Sequence, residues 1–357
     1  MNEPFWRDRR VFITGHTGFK GSWLSLWLAR LGAVTAGYAN GVPTHPALYE
    51  VATVGDTLTS IVGDVRDREQ LVRALRQHRP EVVFHLAAQP LVRRSYAEPA
   101  LTFETNVLGT VNLLEAVRAA DSVRSVVVVT TDKVYEHVES RPYREDDPLG
   151  GSDPYSSSKA CAELVTAAYR RSFFSGAGRP AVATARAGNV IGGGDWAQDR
   201  LLPDLIGALV AGAPLEVRYP HAIRPWQHVL NPLEGYLLLA ERLCDAPDLA
   251  HAWNFGPGGD EPQSVEWLIR RVSELWGTEL TVQPPRRQPL PEAPTLTLDA
   301  SQARDRLGWT EHWGLEEGLR ATVDWYRGYG SGKDARALTV GQIVAFATHG
   351  RPVPVTS

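Results

Sequence analysis

Through the first half of the chain, short apolar runs alternate with longer stretches in which apolar residues recur every three or four positions. The runs are RVFITG at 10–15, AVTAGY at 33–38, EVVFHLAA at 81–88 and RSVVVVTTD at 124–132. Short runs bounded by glycine or polar residues are what strands buried on both faces of a parallel sheet require. Between them, residues 20–31, REQLVRALRQH and LTFETNVLGTVNLLEAVRAA carry an apolar stripe at helical spacing, so each predicts a helix that covers the sheet. A further strand within PAVATARAGNVIG follows the helical stretch that begins near 154. The expected fold class is α/β with a doubly wound parallel sheet.

After residue 188 the texture changes to loops and short helices with tryptophan and arginine spaced through them, as in GGGDWAQDRLLPDLI and RYPHAIRPWQHV. PLEGYLLLAERL reads as helix and AWNFGP as strand, which predicts a return to the first domain. The expected organisation is a cofactor domain at 1–188 with a return segment at about 228–257, a smaller α/β substrate-binding lobe at 189–227 and 258–335, and a tail at 336–357.

The 357 residues are 43% hydrophobic with a formal net charge of −4, enough for a large core and without a global basic field to recruit nucleic acid. Local arginine clusters could still hold a small phosphorylated ligand. MNEPFWRDRR lacks the apolar segment of a signal peptide, and no run approaches the ~20 apolar residues that span a bilayer, so the expected location is the cytoplasm, with no membrane partner. Cys161 and Cys244 are too few for a disulfide framework and lack metal-ligand spacing, so no metal is expected.

VFITGHTGFKGSW puts Gly15, Gly18 and Gly21 between the first strand and the first helix. Glycines there let the backbone turn tightly and approach a pyrophosphate, which the helix N-terminus then holds. An ordinary strand-to-helix turn is the competing reading; the position after the first strand of an alternating pattern favours the nucleotide site.

Only Lys20, Lys133, Lys159 and Lys333 are lysine among 37 basic residues, so where lysine persists is informative. An ammonium can lose its proton, which a guanidinium cannot. In DPYSSSKACAEL, Tyr155 precedes Lys159 by four places, a pairing expected about 0.1 times by chance. Residues i and i+4 share a helix face, so Lys159 can favour the Tyr155 phenolate and make it a base. Asp132 and Lys133 close the run VVVVTTDK, at the C-terminal end of a strand, where such folds place their sites.

The Gly-x-x-Gly-x-x-Gly spacing, GDVRD at 63–67, HLAA at 85–88, TNVLGT around Asn106 and the Tyr155/Lys159 pair resemble the short-chain dehydrogenase/reductase family. The resemblance implies a Rossmann-type fold with Gly15, Gly18, Phe19, Gly21 and Asn106 in the cofactor site. It implies Asp64 and Val65 against the adenine, Ala87 and Ala88 beside the nicotinamide, Lys159 on the ribose, and the Thr131 hydroxyl next to Tyr155. One departure concerns TAGYANGVP, which has neither the acidic residue that usually binds the adenine ribose nor an arginine for a 2′-phosphate. NAD therefore follows from the resemblance alone.

With its Asp132-Lys133 pair, the chain resembles the CDP-glucose 4,6-dehydratase branch of the sugar-nucleotide dehydratases, from FWRDRRVFITGHTGFKGSWL through IRPWQHVLNPLEGYL to LDASQARDRLGW. That resemblance implies a hydro-lyase of deoxysugar biosynthesis working on CDP-glucose or a related sugar nucleotide. In its cycle Tyr155 takes the C4 hydroxyl proton as hydride leaves for NAD, Lys133 removes the C5 proton, Asp132 donates to the departing C6 hydroxyl, and the hydride returns to C6. Asp132 must then be protonated and Lys133 uncharged, which burial favours and an ion pair between them would reverse. Asn189, Arg200 and Arg224 are the implied diphosphate contacts, since arginine's planar fork suits phosphate. A homodimer through helices near 100–118 and 156–172 is also implied. Lys20 and His16 stay unassigned, and PLPEAPTLTLD lacks the family's histidine, which leaves the role of Glu292 on the nucleotide ribose open. Other readings of the same residues are a dTDP-, GDP- or UDP-sugar dehydratase, a 4-epimerase or reductase, and a non-catalytic NAD-binding scaffold.

Overall fold

The computed structural model describes residues 2–136, 141–258, 262–285, 290 and 293–348. Its centre is a seven-stranded sheet of β1 (Arg10–Thr14), β2 (Val34–Ala39), β3 (Thr59–Val62), β4 (Val82–His85), β5 (Ser125–Val129), β6 (Ala181–Ala187) and β7 (Ala252–Phe255). All neighbours pair in parallel, in the order β7-β6-β5-β4-β1-β2-β3. The order reverses between β1 and β4, and the crevice beyond the carboxyl ends of those two strands is where such sheets bind ligands.

Side chains alternate across the sheet. Val11, Ile13, Val82, Phe84 and Val127 enter one core, while Phe12, Val83, Val126 and Val128 enter the other. The helices of ten or more residues are α1 (Phe19–Arg30), α2 (Arg68–His78), α3 (Gly109–Arg118), α4 (Pro154–Phe173), α5 (Leu201–Ala211), α6 (Leu230–Leu243), α7 (Val265–Trp276), α8 (Leu315–Gly330) and α9 (Ala335–Thr348). Trp23 and Leu24 of α1 and Leu233 and Leu237 of α6 cover the first face; Leu71 and Leu75 of α2 and Leu113 and Leu114 of α3 cover the second. Small two-stranded pairings outside the sheet join 190–191 to 227–228, 223–224 to 263–264, and 215–216 to 282–283.

The structure departs from the sequence pattern in three places. β3 had no signal, because it is an edge strand whose residues are largely exposed and need no apolar run. The stretch expected as one helix from 101 is a short helix (Pro99–Phe103), a wide π-type turn (Glu104–Leu108) and α3, and the wide turn carries Asn106. The segment read as a tail from 336 is helical to Thr348. Ala335, Thr339, Ile343 and Phe346 form its buried stripe, with Phe346 edge-on to Trp27 at 5.6 Å. Two of those four residues are small or polar, which weakened the pattern without removing the contact.

Candidate active site

Gly15 leaves β1 with φ +77°, and a Cβ there would lie 2.7 Å from the Ala87 amide nitrogen. Only glycine fits. A Cβ on Gly21 would lie 2.1 Å from the Gly15 carbonyl oxygen, so the first turn of α1 packs directly on the loop. Gly18 caps α1 in an extended conformation, and its amide donates to the Gly15 carbonyl at 3.1 Å. Phe19, half-buried, reaches across to Gly192. The result is a bare backbone cradle at the N-terminus of a 12-residue helix, a site suited to a pyrophosphate. Thr14 ties the two sides of the crevice, with Oγ1 2.7 Å from His85 Nδ1 and accepting from the Ala87 amide at 3.2 Å.

Asn40, not an acid, follows β2, and its Nδ2 lies 3.4 Å from Asp64 Oδ2. Asp64 also accepts from Arg66 Nη2 and from the Arg66 amide, each at 2.8 Å, and the Arg66 side chain holds its carboxyl below the usual range. Val65 is buried against Gly109. His16, with Nε2 2.8 Å from Ser60 Oγ and its ring edge-on to Tyr49, packs over Gly37 of β2. Burial pushes it down to about 4, so it is neutral at pH 7.

Ala87, whose backbone lies against Gly15, and Ala88 lead from β4 to Gln89, which Asn106 holds. Asn106 Oδ1 accepts from the Gln89 amide at 2.8 Å, and its Nδ2 donates to the Gln89 carbonyl at 3.1 Å and to Ser158 Oγ at 2.8 Å. The carboxamide is thus engaged within the protein, and its effect on a cofactor passes through the backbone that it clamps.

α4 begins behind Asp153, whose carboxylate accepts from the Ser156 amide at 3.0 Å, and the Tyr155 amide donates to Ser95 Oγ at 3.1 Å. Tyr155 and Lys159 lie one turn apart on α4, both buried. Lys159 Nζ donates to the Val129 carbonyl at 3.0 Å, and burial pushes the ammonium down to about 8 against the pull of Glu163. Burial pushes Tyr155 up to about 12. The Thr131 side chain, hydrogen-bonded to it, and Arg200 act in the opposite sense, and Asp132 and Asp153 add to the rise.

Asp132 is 2% exposed, and burial raises its carboxyl although Lys133, Thr131, Arg224 and Lys20 all draw it down. Oδ1 accepts from Thr131 Oγ1 at 2.9 Å; Oδ2 is buried with no hydrogen-bond partner among the described residues. Gly188 packs against Oδ2, since a Cβ there would approach it to 3.1 Å. Lys133 is half-buried. Lys20 Nζ donates to the Tyr236 hydroxyl at 3.2 Å, and burial with Arg200 pushes it down to about 7.

Of the three expected diphosphate contacts, Arg224 is buried, donates to the Ile223 carbonyl at 2.9 Å and acts electrostatically on Asp132. Asn189 precedes the short strand Val190–Ile191, and its carbonyl accepts from the Gln227 amide at 3.0 Å. Arg200 donates through Nη1 to Asp195 Oδ2 at 2.9 Å and acts electrostatically on Tyr155 and Lys20. Glu292 lies outside the described residues. Thr131, Asp132, Tyr155, Lys20, Arg200 and Arg224 are therefore drawn into one electrostatically linked, partly buried set of polar groups. Sequence reasoning gave no role to Lys20, although lysine scarcity marked it, and missed Tyr236 and Asp195, which carry no motif.

A family model described as GDP-mannose 4,6 dehydratase matches residues 12–242. The chain is 46% identical over 340 residues to the CDP-glucose 4,6-dehydratase of Salmonella typhimurium, covering 94% of this chain and 95% of that one. It is 29% identical over 289 residues to a dTDP-glucose 4,6-dehydratase of Xanthomonas campestris, covering 74% and 78%. Among solved structures, it is similar to a dTDP-glucose 4,6-dehydratase of Streptomyces venezuelae with NAD bound (TM-score 0.78, 26% identity, 91% of this chain and 98% of that one). It is also similar to a UDP-glucose 4-epimerase of Thermus thermophilus in complex with NAD (TM-score 0.77, 28% identity, 89% and 99%).

Proposed function

Because the chain belongs to the GDP-mannose 4,6-dehydratase family, we propose that it dehydrates CDP-D-glucose to CDP-4-dehydro-6-deoxy-D-glucose and water with NAD as internal hydride carrier. The observation that carries this reading is Asp132: a carboxyl raised by burial, beside Thr131 and Tyr155, with one oxygen that has no hydrogen-bond partner among the described residues. A 4-epimerase or reductase has no use for a proton donor there.

The residues fit NAD. Gly15 and Gly21 leave a cradle that any Cβ would fill, at the amino end of α1. Gly15, Gly18, Phe19 and Gly21 would hold the pyrophosphate, Asp64 and Val65 the adenine end, Ala87 and Ala88, clamped by Asn106, the nicotinamide side, and Lys159 the ribose. Bound there, NAD supplies a reversible hydride acceptor.

The chain's own residues then move the protons. Tyr155 accepts the C4 hydroxyl proton as the C4 hydride departs, and the ketone so formed acidifies the C5–H bond. Lys133 takes the C5 proton. Asp132 gives its proton to the leaving C6 hydroxyl, water departs, and a proton returns to C5 as the hydride returns to C6. Asn189 and Arg224 grip the diphosphate. We assign the sheet, with the return through α6 and β7, to the cofactor and the segments 189–227 and 258–335 to the sugar nucleotide.

We also propose a cytoplasmic homodimer. Both cysteines are free, and among the described residues no helix is long and apolar enough to cross a membrane. Phe103, Leu108, Leu164 and Phe173 stand exposed on the segments 99–118 and 154–173, an apolar face for a second copy.

Incubation with CDP-, dTDP-, UDP- and GDP-hexoses, with and without NAD, tests the reading by product mass. A product lighter than CDP-glucose by one water, with no net consumption of NAD, is expected. Unaltered mass with an inverted C4 centre would establish an epimerase instead.

A further inference from the structure

The two oxygens of Asp132 are held in different ways. Oδ1 accepts from Thr131 Oγ1 at 2.9 Å, while Oδ2 is buried with no hydrogen-bond partner among the described residues. What stands against Oδ2 is backbone: Gly188, the buried residue after β6, with Pro225 behind it. A Cβ built on Gly188 would lie 3.1 Å from Oδ2, 3.1 Å from the Pro225 carbonyl oxygen and 2.4 Å from Pro225 Cγ. Gly188 is not among the glycines with positive φ, so space rather than backbone conformation calls for glycine here.

The neighbours of Gly188 differ in how far they can give. The chain around Pro225 is tied down, since the Trp226 amide donates to the Arg224 carbonyl and the Gln227 amide to the Asn189 carbonyl, each at 3.0 Å, and Arg224 pairs with Gln263. The chain that carries Asp132 is tied as well, because the Val134 carbonyl accepts from the Gly150 amide at 2.8 Å. The carboxyl torsion of Asp132 is the soft coordinate, as rotation about a bond to a planar group has broad minima. Its orientation is therefore set by the Thr131 hydroxyl on one oxygen and the Gly188 backbone on the other.

Gly188 directly precedes Asn189, and Pro225 directly follows Arg224, the two residues assigned to the diphosphate. We propose that Gly188 and Pro225 form a positioning wall that holds the Asp132 carboxyl in the orientation water loss needs and ties that orientation to the segments that grip the diphosphate.

The proposal rests on the reading of Asp132 as the acid of the elimination. In that step the electron pair of the C5–H bond, its proton taken by Lys133, forms the C5–C6 double bond as the C6–O bond breaks, and the Asp132 proton leaves with the hydroxyl as water. The earlier proton transfer to Tyr155 does not use the Asp132 carboxyl. Displacing the carboxyl therefore separates the two steps.

The test follows reduction of NAD and loss of water from CDP-glucose in single turnovers, with KM and thermal melts, in the wild type, Gly188→Ala, Pro225→Ala, the double variant and Gly207→Ala. Gly207, exposed on α5 with open space around it, is the control and is expected to match the wild type. In Gly188→Ala the expected result is NAD reduction within a few fold of the wild type, an unchanged KM, water loss slowed about ten- to hundredfold and reduced cofactor accumulating. Pro225→Ala, which adds no atom to the wall, is expected to slow water loss about two- to tenfold. In the double variant the new methyl takes the space of the missing ring, so its loss is expected to be smaller than the product of the two single losses. Should Gly188→Ala fail to melt cooperatively, Pro225→Ala decides by the same comparison of the two steps. Equal slowing of both steps, a raised KM with water loss at the wild-type rate, or losses that multiply in the double variant overturns the proposal. A wild type that neither reduces NAD nor releases water with any of the CDP-, dTDP-, UDP- and GDP-hexoses overturns the dehydratase reading itself.

Discussion

Glu163 receives both prongs of Arg186, Nε on Oε1 and Nη2 on Oε2, each at 2.9 Å, and both side chains are 3% exposed. Thr130 and Thr184 donate to the same carboxylate at 2.5 and 2.6 Å, and Arg186 Nη1 donates to the Tyr135 hydroxyl at 2.8 Å. The pair joins α4 to β6 one turn beyond Lys159. With every polar atom engaged, removing one partner strands the other charge, so Glu163→Ala is expected to cost about 3–5 kcal/mol in denaturant titrations.

The same pair sets an acid limit. Burial pushes the Glu163 carboxyl up, but Arg186 and the two threonine hydroxyls pull it further down, below the ordinary 4.5. A lowered folded-state pKa stabilises above the unfolded value and is lost as pH falls through the folded one. Unfolding free energy measured from pH 7 to 3 should therefore fall below about pH 4.5. Glu163→Gln should show a shallower decline over that range.

Gly15→Ala tests the cradle. The added methyl meets the Ala87 backbone at 2.7 Å in a left-handed conformation, and neither side can give without moving β1 or β4. Loss of about 1–3 kcal/mol of stability is expected. Affinity for NAD should fall by an order of magnitude or more in titration calorimetry. Gly212→Ala, also left-handed but with open space around it, should cost stability without touching NAD affinity.

What the sequence displayed was whatever depends on near neighbours. The parallel strands, α2 and the glycine loop could be read because apolar runs, helical spacing and a tight turn are local, and Tyr155 with Lys159 because a helix puts i and i+4 together. Contacts made by distant segments left no trace. Nothing in GGGDWAQDRLLPD shows that Arg200 meets Asp195, or that Lys20 meets Tyr236 across 216 residues. Asn106 was legible as a motif residue, but its engagement with Gln89 and Ser158 was not, since it depends on the wide turn. Lys159 stood out in the sequence for its rarity, while its partner, the Val129 carbonyl, belongs to the end of a strand.

Asp132→Asn separates the two halves of the chemistry. The substitution keeps size at a position where burial raises the carboxyl, but removes the transferable proton. Hydride transfer to NAD should persist within a few fold, while loss of water slows by about 10²–10⁴. Stopped-flow absorbance for the reduced cofactor and mass analysis of quenched product would register a reduced cofactor that accumulates. Lys133→Ala should behave the same way, and product formation at the wild-type rate would remove Lys133 from the mechanism.

Lys159 combines function with a stability cost, and its replacement should reveal both. Burial lowers the ammonium from 10.5 to about 8. At pH 7 folded and unfolded chains both carry the proton, and the gap between those values corresponds to about 3 kcal/mol against the fold. Lys159→Met removes that cost but leaves the Val129 carbonyl without its donor, a loss of about 1–3 kcal/mol, so the net gain at pH 7 is about 1 kcal/mol. Between pH 8 and 10.5 the unfolded chain binds a proton that the folded chain does not, so wild-type stability from this group rises with pH. The advantage of the variant should therefore shrink or reverse by about pH 10, measured in urea without added cofactor. Activity should fall by about 10²–10⁴, because the proposed ribose contact and a charge one turn from Tyr155 go together. A variant that is less stable than the wild type at pH 7, or equally advantaged at both pH values, would show that the buried ammonium is not what the fold pays for.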